Sequence, residues 1–275
     1  MIICFAHYKG GTGKTTSCLS IAGWLARFGK KVLVIDLDPQ GNATSGLGID
    51  KKTLNRTMYD VMGDYDKIKK GVIVETSIEN INLAPATHQL EMLNLRVYNN
   101  KADAKILIKG IDKIKDYYDF ILIDTPPVNS HFIINGMAAA DKVLVVLDPG
   151  IFALEGVQVM KEHFGNFFDK LGMKLTIDGA LITKVPQYSI FSMFKKNHIK
   201  DIKNEVENML DKEVFLIPYS EEIYDTHRLG KPISHHKPRS KVGKVYEKIA
   251  RKLIHESKER EEIEKQIKLY GVKHD

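Results

Sequence analysis

The run Ala6-His7-Tyr8-Lys9-Gly10-Gly11-Thr12-Gly13-Lys14-Thr15-Thr16 constrains this chain more than any other stretch. An apolar run, Met1-Ile2-Ile3-Cys4-Phe5-Ala6, leads into it, and a helix-like run from Ser17 to Phe28 leaves it. Strand, glycine-rich loop and helix, in that order, are the context a phosphate-binding loop requires. Glycines let the backbone curl until successive N–H groups face one anion. The helix N-terminus behind them adds partial positive charge. Lys14 supplies a full charge to the β- and γ-phosphates of a nucleotide, and Thr15 a hydroxyl for Mg²⁺.

The loop departs from the ordinary pattern. G-x-x-x-x-G-K-[ST] ending on Gly13-Lys14-Thr15 needs glycine at position 8, where Tyr8 stands. The run is K-G-G-x-G-K-T-T instead, with a second lysine at Lys9. Two more motifs close apolar runs. Lys31 to Asp36 reads as a buried parallel strand and continues into Asp36-Leu37-Asp38-Pro39-Gln40-Gly41-Asn42-Ala43-Thr44. Carboxylates at a strand's C-terminal end face the same crevice as the loop. Asp36 and Asp38, two apart in extended chain, point to one side. One suits the hydration shell of Mg²⁺, the other the orientation of a water. Asp119-Phe120-Ile121-Leu122-Ile123-Asp124-Thr125-Pro126-Pro127 reads as a Walker B strand, with Asp124 holding Mg²⁺ through water. An Asx turn accounts for a single aspartate at a strand end, but not for the whole D-x-D-P-Q-G-N-A-T run.

Together with Phe152-Ala153-Leu154-Glu155-Gly156, Gly230-Lys231-Pro232-Ile233 and Pro238-Arg239-Ser240, these motifs resemble the ParA/MinD family of deviant Walker A ATPases. The D-x-D-P-Q-G-N-A-T run resembles the ParA branch in particular, since MinD lacks the P-Q-G-N part. The resemblance spans Met1 to about Ile254. It implies an α/β fold: a doubly wound, mostly parallel sheet with helices on both faces. It implies ATP and Mg²⁺ as cofactors and Mg²⁺-dependent ATP hydrolysis. Lys9, Gly10, Gly11, Thr12, Gly13, Lys14, Thr15 and Thr16 are expected around the nucleotide. Thr15, Asp36 and Asp124 are expected at the metal. Lys9, Lys14 and Asp38 are expected in catalysis, with Asp38 activating water and Lys9 reaching into the partner of an ATP-dependent homodimer. The loop holding Pro218 is expected on the adenine. The family further implies non-specific DNA binding, a centromere-binding adaptor protein that stimulates hydrolysis, and a cytoplasmic, nucleoid-associated location. Two units are expected: an ATPase domain over 1–254 and a charged helical extension over 255–275.

Composition bounds the alternatives. With 43% hydrophobic residues, 275 residues can bury a substantial core. No apolar run is long enough to span a bilayer, and no signal peptide is recognised, so a cytosolic protein without a membrane anchor is expected. Cys4 and Cys18 form no C-x-x-C and read as small buried residues, which argues against an iron–sulfur reductase of related fold. His235-His236 lacks accompanying ligands and reads as a solvated loop. The net charge of +6 permits an anionic polymer as partner without requiring one.

One departure bears on function. Partition ATPases carry two arginines just after the last strand, in a run like I-P-R-N-V-R. Here Ile217-Pro218-Tyr219-Ser220-Glu221-Glu222 puts Tyr219 and Glu222 in those places. Either DNA binding has moved to the lysines around Lys196, Lys200 and Lys203 (with Lys195, Arg228 and Lys231 nearby), or this chain binds no DNA. A MinD-like or other cargo-positioning ATPase acting through a protein partner is therefore the alternative. The stretch Glu256 to Tyr270 is charged all round, unlike a membrane-binding helix. A small-acid synthetase of related fold is a third class; the signature lysine weighs against it. Elsewhere, Ala102 to Tyr117 reads as one amphipathic helix whose lysines (Lys101, Lys105, Lys109, Lys113) form a solvated face. His88 to Val97 and Ile190 to Leu210 also read as helices. The latter has Ile199, Ile202, Val206 and Met209 on its buried stripe.

Overall fold

The computed structural model describes residues 1–94, 103–127, 131–150, 152–170, 172–187 and 193–270; for 94, 103, 193–196 and 268–270 it describes the backbone alone. Strands β1 (Ile2–Ala6), β2 (Val32–Asp36), β3 (Val74–Glu75), β4 (Ile81–Ala84), β5 (Phe120–Asp124), β6 (Lys142–Leu147), β7 (Gly179–Val185) and β8 (Val214–Pro218) form one sheet. Its order is β3-β4-β2-β5-β1-β6-β7-β8. Every pairing is parallel except β3 with β4. The helices are α1 (Lys14–Arg27), α2 (Asn42–Gly46), α3 (Met58–Gly63), α4 (Glu91–Asn94), α5 (Ile106–Ile111), α6 (His131–Ala139), α7 (Phe152–Val159), α8 (Gly165–Lys170), α9 (Met193–Leu210), α10 (Glu222–Leu229), α11 (Ile233–His236) and α12 (Lys241–Tyr270).

The sheet is doubly wound, as the motifs implied. Side chains alternate along each strand, so one strand feeds two cores. In β1, Cys4 and Ala6 join one core with residues of α3, α5, α6 and α7. Ile3 and Phe5 join the other, with residues of α1 and α12. Burial on both faces is why these strands read as continuous apolar runs. The chain winds outward from β1 in both directions, to β5 and β2 on one side and to β6 on the other. The C-terminal ends of β1, β2 and β5 thus meet at the crossover crevice where such sheets bind ligands.

One expectation about local structure changes. The single helix over Ala102 to Tyr117 is broken: α5 covers Ile106–Ile111, and a 3₁₀ turn covers Lys115–Tyr117. Gly110 weakens the helix, and the Asp119 and Phe120 N–H groups must turn back to the Lys31 carbonyl oxygen as β5 begins. The lysine face is solvated as expected, with Lys105 and Lys109 exposed; Lys109 and Lys113 also lie 5.2 Å from the Tyr65 ring, and Lys113 pairs with Asp66. Lys101 lies outside the described residues, as does most of the second half of the expected His88–Val97 helix. In α9, Ile199, Ile202 and Val206 are buried and Met209 is half-buried, as its periodicity predicts.

Helix α12 crosses position 254 without a break. Val242, Tyr246, Ile249 and Leu253 bury its first half against the sheet and α1. Beyond that, Glu256 pairs with Lys142 at 2.9 Å and Arg260 with Asp141 at 2.8 Å, pinning the helix to the N-terminal end of β6. Further along, Ile263 is exposed. Among the described residues no helix is long and apolar enough to cross a membrane.

Candidate functional site

The phosphate loop is shaped by two glycines in the left-handed region, Gly11 at φ +73° and Gly13 at φ +89°. L-residues with a Cβ rarely adopt that conformation. Gly13 is the N-cap of α1, and its carbonyl accepts the Ser17 N–H at 2.9 Å. Lys14 folds back over the loop, and its ammonium donates to the Lys9 carbonyl oxygen at 3.1 Å. The loop is also gripped from β7. Thr183 Oγ1 donates to the Thr12 carbonyl oxygen at 2.6 Å, and the Lys184 ammonium donates to that of Gly11.

His7 supports the loop from below. Its Nδ1 accepts the Lys9 N–H at 3.1 Å, and its ring stacks on Tyr8 with centroids 4.7 Å apart. Burial pushes the His7 imidazole down to about 4, so it is neutral near pH 7. The opposite ring nitrogen lies against Gly156 of α7: a Cβ there would stand 2.7 Å from Nε2. The glycine of the F-A-L-E-G run is therefore the space in which the histidine sits.

The carboxylates come together through strand register. Asp36 and Asp124 are partners across the β2–β5 ladder. Asp124 Oδ2 accepts the Thr15 hydroxyl at 2.7 Å, while Oδ1 is buried with no hydrogen-bond partner among the described residues. Asp36 accepts the Thr44 N–H at 2.8 Å, the Thr44 hydroxyl at 2.7 Å and the Asp38 N–H at 3.1 Å. The last residue of the D-x-D-P-Q-G-N-A-T run thus locks the first. Asp38 accepts the Gln40 N–H at 2.9 Å and is nearly buried.

Burial raises all three carboxyls above the usual range, Asp36 to about 6 and Asp124 well up, the Asp36 charge adding to the latter. Burial pushes the Lys14 ammonium down, with Asp124 and Asp38 opposing. Ionised, the three carboxylates outnumber the ammonium groups near them, Lys14 and, at Asp38, Lys51, which leaves a deficit that a divalent cation fits. A hydroxyl beside a carboxylate with an unpartnered oxygen suits Mg²⁺, which is held through one or two carboxylates plus substrate phosphates. No larger ligand cluster is needed for it, and none occurs among the described residues.

A cleft of about 600 Å³ runs from the loop to the end of β8. Gly11 to Thr16 line one end with Asp38; Pro218, Tyr219, Tyr224 and Tyr246 line the other. The structure therefore brings together Gly11, Thr12, Gly13, Lys14, Thr15, Thr16, Asp38 and Pro218, with Asp36 and Asp124 at their back. Lys9 and Gly10 stand outside the lining. The Lys9 side chain is 53% exposed, with its ammonium 3.7 Å from Asp148 Oδ2. Sequence reasoning missed His7, Thr183, Lys184, Asp148 and His227, whose Nε2 lies 3.1 Å from Thr16 Oγ1. A histidine closing an apolar strand is a signal that could have flagged His7.

The lysines expected to face DNA share α9. Lys200 is exposed, and Lys203 pairs with Glu207. The side chains of Lys195 and Lys196 lie outside the described residues. Arg228 pairs with Asp225 at 3.2 Å. Ser220 Oγ donates to Glu222 in the first turn of α10.

A left-handed glycine loop capping α1, a lysine folded over it and a Thr–Asp pair behind it define a P-loop nucleotide-binding protein. The AAA domain family matches residues 1–177. The sporulation initiation inhibitor protein Soj of Bacillus subtilis is 32% identical over 252 residues, covering 92% of this chain and 97% of Soj. The chromosome-partitioning ATPase Soj of Treponema pallidum is 32% identical over 254 residues, covering 92% and 96%. Among solved structures, the cell division ATPase MinD of Pyrococcus furiosus superimposes with a TM-score of 0.70 at 26% identity, over 92% of this chain and 98% of MinD. The cobyrinic acid a,c-diamide synthase of Mycobacterium smegmatis, with bound ATP analogue and magnesium, gives 0.76 at 26%, over 94% and 95%. The chain belongs to the Soj/ParA family of P-loop ATPases, with the fold that MinD shares.

Proposed function

We propose that this chain is a DNA-segregation ATPase in which Mg²⁺-dependent ATP binding closes a homodimer and hydrolysis reopens it. The observation that carries the reading is the division of the two loop lysines: Lys14 is buried in its own subunit's cleft, while Lys9 is exposed beside it. Lys14 and the N–H groups from Gly11 to Thr16 bind the phosphates. Thr15, Asp124 and Asp36 behind them would hold Mg²⁺, which when bound would neutralise charge on the phosphates. Pro218 lies against the adenine. Asp38 orients the attacking water; it need not be a strong base, because a loose transition state asks mainly for position and charge. Lys9 of each subunit supplies charge to its neighbour's phosphates. Loss of the γ-phosphate contacts then removes the reason for the dimer to persist. The expected partners are non-specific DNA and a centromere-binding adaptor that accelerates hydrolysis, in a cytoplasmic, nucleoid-associated setting. The T. pallidum relative's designation as a chromosome-partitioning ATPase supports this reading.

Light scattering with and without ATP tests it. Lys9→Ala should bind ATP but remain monomeric; dimerisation equal to wild type would refute the trans role. The exposed Tyr219 and the acidic start of α10 favour one alternative, a positioning ATPase that acts through a protein partner without DNA. Absence of ATP-dependent DNA binding at about 100 mM salt, where charges a Debye length apart still interact, would select it.

A further inference from the structure

Asp148 follows the last residue of β6 and stands beside the phosphate loop. Its oxygens are divided between two lysines: Oδ2 lies 3.7 Å from the Lys9 ammonium and Oδ1 3.7 Å from that of Lys184. Oδ1 is buried and accepts no hydrogen bond among the described residues, so this carboxylate is balanced by the two paired lysines and, beyond ion-pair distance, by the Lys14 ammonium. The lysines differ in how they are tied. Lys184 also donates to the Gly11 carbonyl oxygen. Its backbone sits in the left-handed region at φ +54°, within the stretch where β7 shifts register against β8. A lysine keeps that conformation only where its surroundings impose it. Here Thr183 beside it grips the Thr12 carbonyl oxygen at 2.6 Å. Lys184 thus belongs to its own subunit's loop. The Lys9 ammonium has Asp148 as its one ion-pair partner among the described residues.

We propose that Asp148 is a positioning residue for Lys9, parking the lysine within its own subunit, and that Lys184 keeps Asp148 paired when Lys9 leaves for the neighbouring subunit. The proposal rests on the trans role of Lys9 argued above. Without Lys184, withdrawing Lys9 would leave a half-buried carboxylate, one oxygen out of water, with only the more distant Lys14 ammonium, which is unfavourable. With Lys184 in place, release gives up one exposed ion pair. Such pairs shift an equilibrium by about two- to five-fold, and salt weakens them. The closing step is thereby kept reversible, with the resting subunit slightly favoured.

Opposite signs test the arrangement. The measurement is the dimer dissociation constant by sedimentation velocity, with a saturating non-hydrolysable ATP analogue. Binding of a fluorescent nucleotide confirms that each variant is folded. Asp148→Asn should tighten the dimer about two- to five-fold, and Asp148→Ser should repeat it. Lys184→Met should weaken the dimer by at least that factor. The double variant D148N/K184M should return to the D148N value, because the stranded charge is gone. At about 0.5 M salt, where the Debye length is only a few ångströms, the differences should shrink. Lys9→Ala is measured beside them. If K9A dimerises like wild type, the trans role fails and the parking role with it. If K9A stays monomeric while D148N and K184M shift the dimer the same way or not at all, the parking role alone is overturned. The same holds if the double variant stays as weak as K184M, which would trace the K184M defect to the Gly11 carbonyl.

Discussion

The two ends of the nucleotide cleft are built on different principles. At the phosphate end the polar groups are buried and bonded to one another: Asp36 takes three donors from its own loop, and Thr44 Oγ1 in turn accepts the Ala86 N–H at 3.0 Å. At the far end, the proposed base end, Tyr246 is buried but Tyr219 and Tyr224 stand in solvent, at 45% and 71% exposure. A buried charge demands a partner, and its partner demands another, so the phosphate end tolerates little change. The base end carries no such chain of obligations. Its charge can invert, as at Glu222, without disturbing the loop.

The sharpest way to break this comparison is at Asp38, the cleft-facing member of the buried set. Asp38→Ala should keep ATP binding but lower hydrolysis by about 100-fold or more, the usual scale for a lost water-activating group. The ATP dimer should then accumulate in light scattering. A variant that binds ATP and stays monomeric would remove Asp38 from the assigned role.

Acid should act on the phosphate end through His7. Its folded value of about 4 lies below the ordinary 6.5. Between these values the unfolded chain binds the proton and the folded chain does not, so stability falls as pH drops from 6.5 towards 4. The limit is about 3 kcal/mol, taking 1.36 kcal/mol for each pKa unit. Raised carboxyls such as Asp36 push the other way, so the test is a difference. Melting temperatures of wild type and His7→Asn, followed from pH 7 to pH 4, should diverge in that window. Asn preserves an acceptor for the Lys9 N–H but cannot take the proton. Parallel curves would mean that His7 is not buried neutral.

Gly156→Ala probes the same histidine from α7. The added Cβ would meet His7 Nε2 at 2.7 Å, well inside contact distance. Overpacking of this kind costs about 1–3 kcal/mol. The melting temperature should fall, and a second substitution, His7→Asn, should recover part of the loss. An unchanged Gly156→Ala melting curve would show that α7 is free to move away from the loop.

What the sequence disclosed follows the same division. The phosphate loop, the D-x-D run and the Walker B strand are legible because each is local: a buried strand, then a glycine or a carboxylate at its end. The parallel sheet is legible for the same reason. The two-residue β3 was not, since an edge this short has no period. The helix expected over Ala102 to Tyr117 stops at Ile111 because the chain must turn back to the Lys31 carbonyl oxygen, far upstream in sequence, as β5 begins. Thr183, Lys184 and Asp148 reach the loop only through the pairing of β7 with β6 and β6 with β1. No local pattern announces a contact made by strand order.

The smallest effect, and the one that bears on cargo, lies at the base end. Glu222 opens α10, where an acidic residue is favoured by the helix dipole by about 0.3–1 kcal/mol. Its charge therefore has a structural reason as well as a consequence for phosphate. Glu222→Arg should lose that small stabilisation and, if the ATP dimer lays this edge on DNA, add one phosphate contact. Each gained contact steepens the slope of log affinity against log salt by about 0.9. Glu222→Gln removes the repulsion without adding a contact, so it should raise affinity at low salt and leave the slope nearly unchanged. Fluorescence anisotropy of a short duplex, titrated with the ATP-bound protein from low to moderate salt, separates the two. If neither variant moves the curve, α10 does not face DNA, and any binding belongs to surfaces such as the exposed Lys200 on α9.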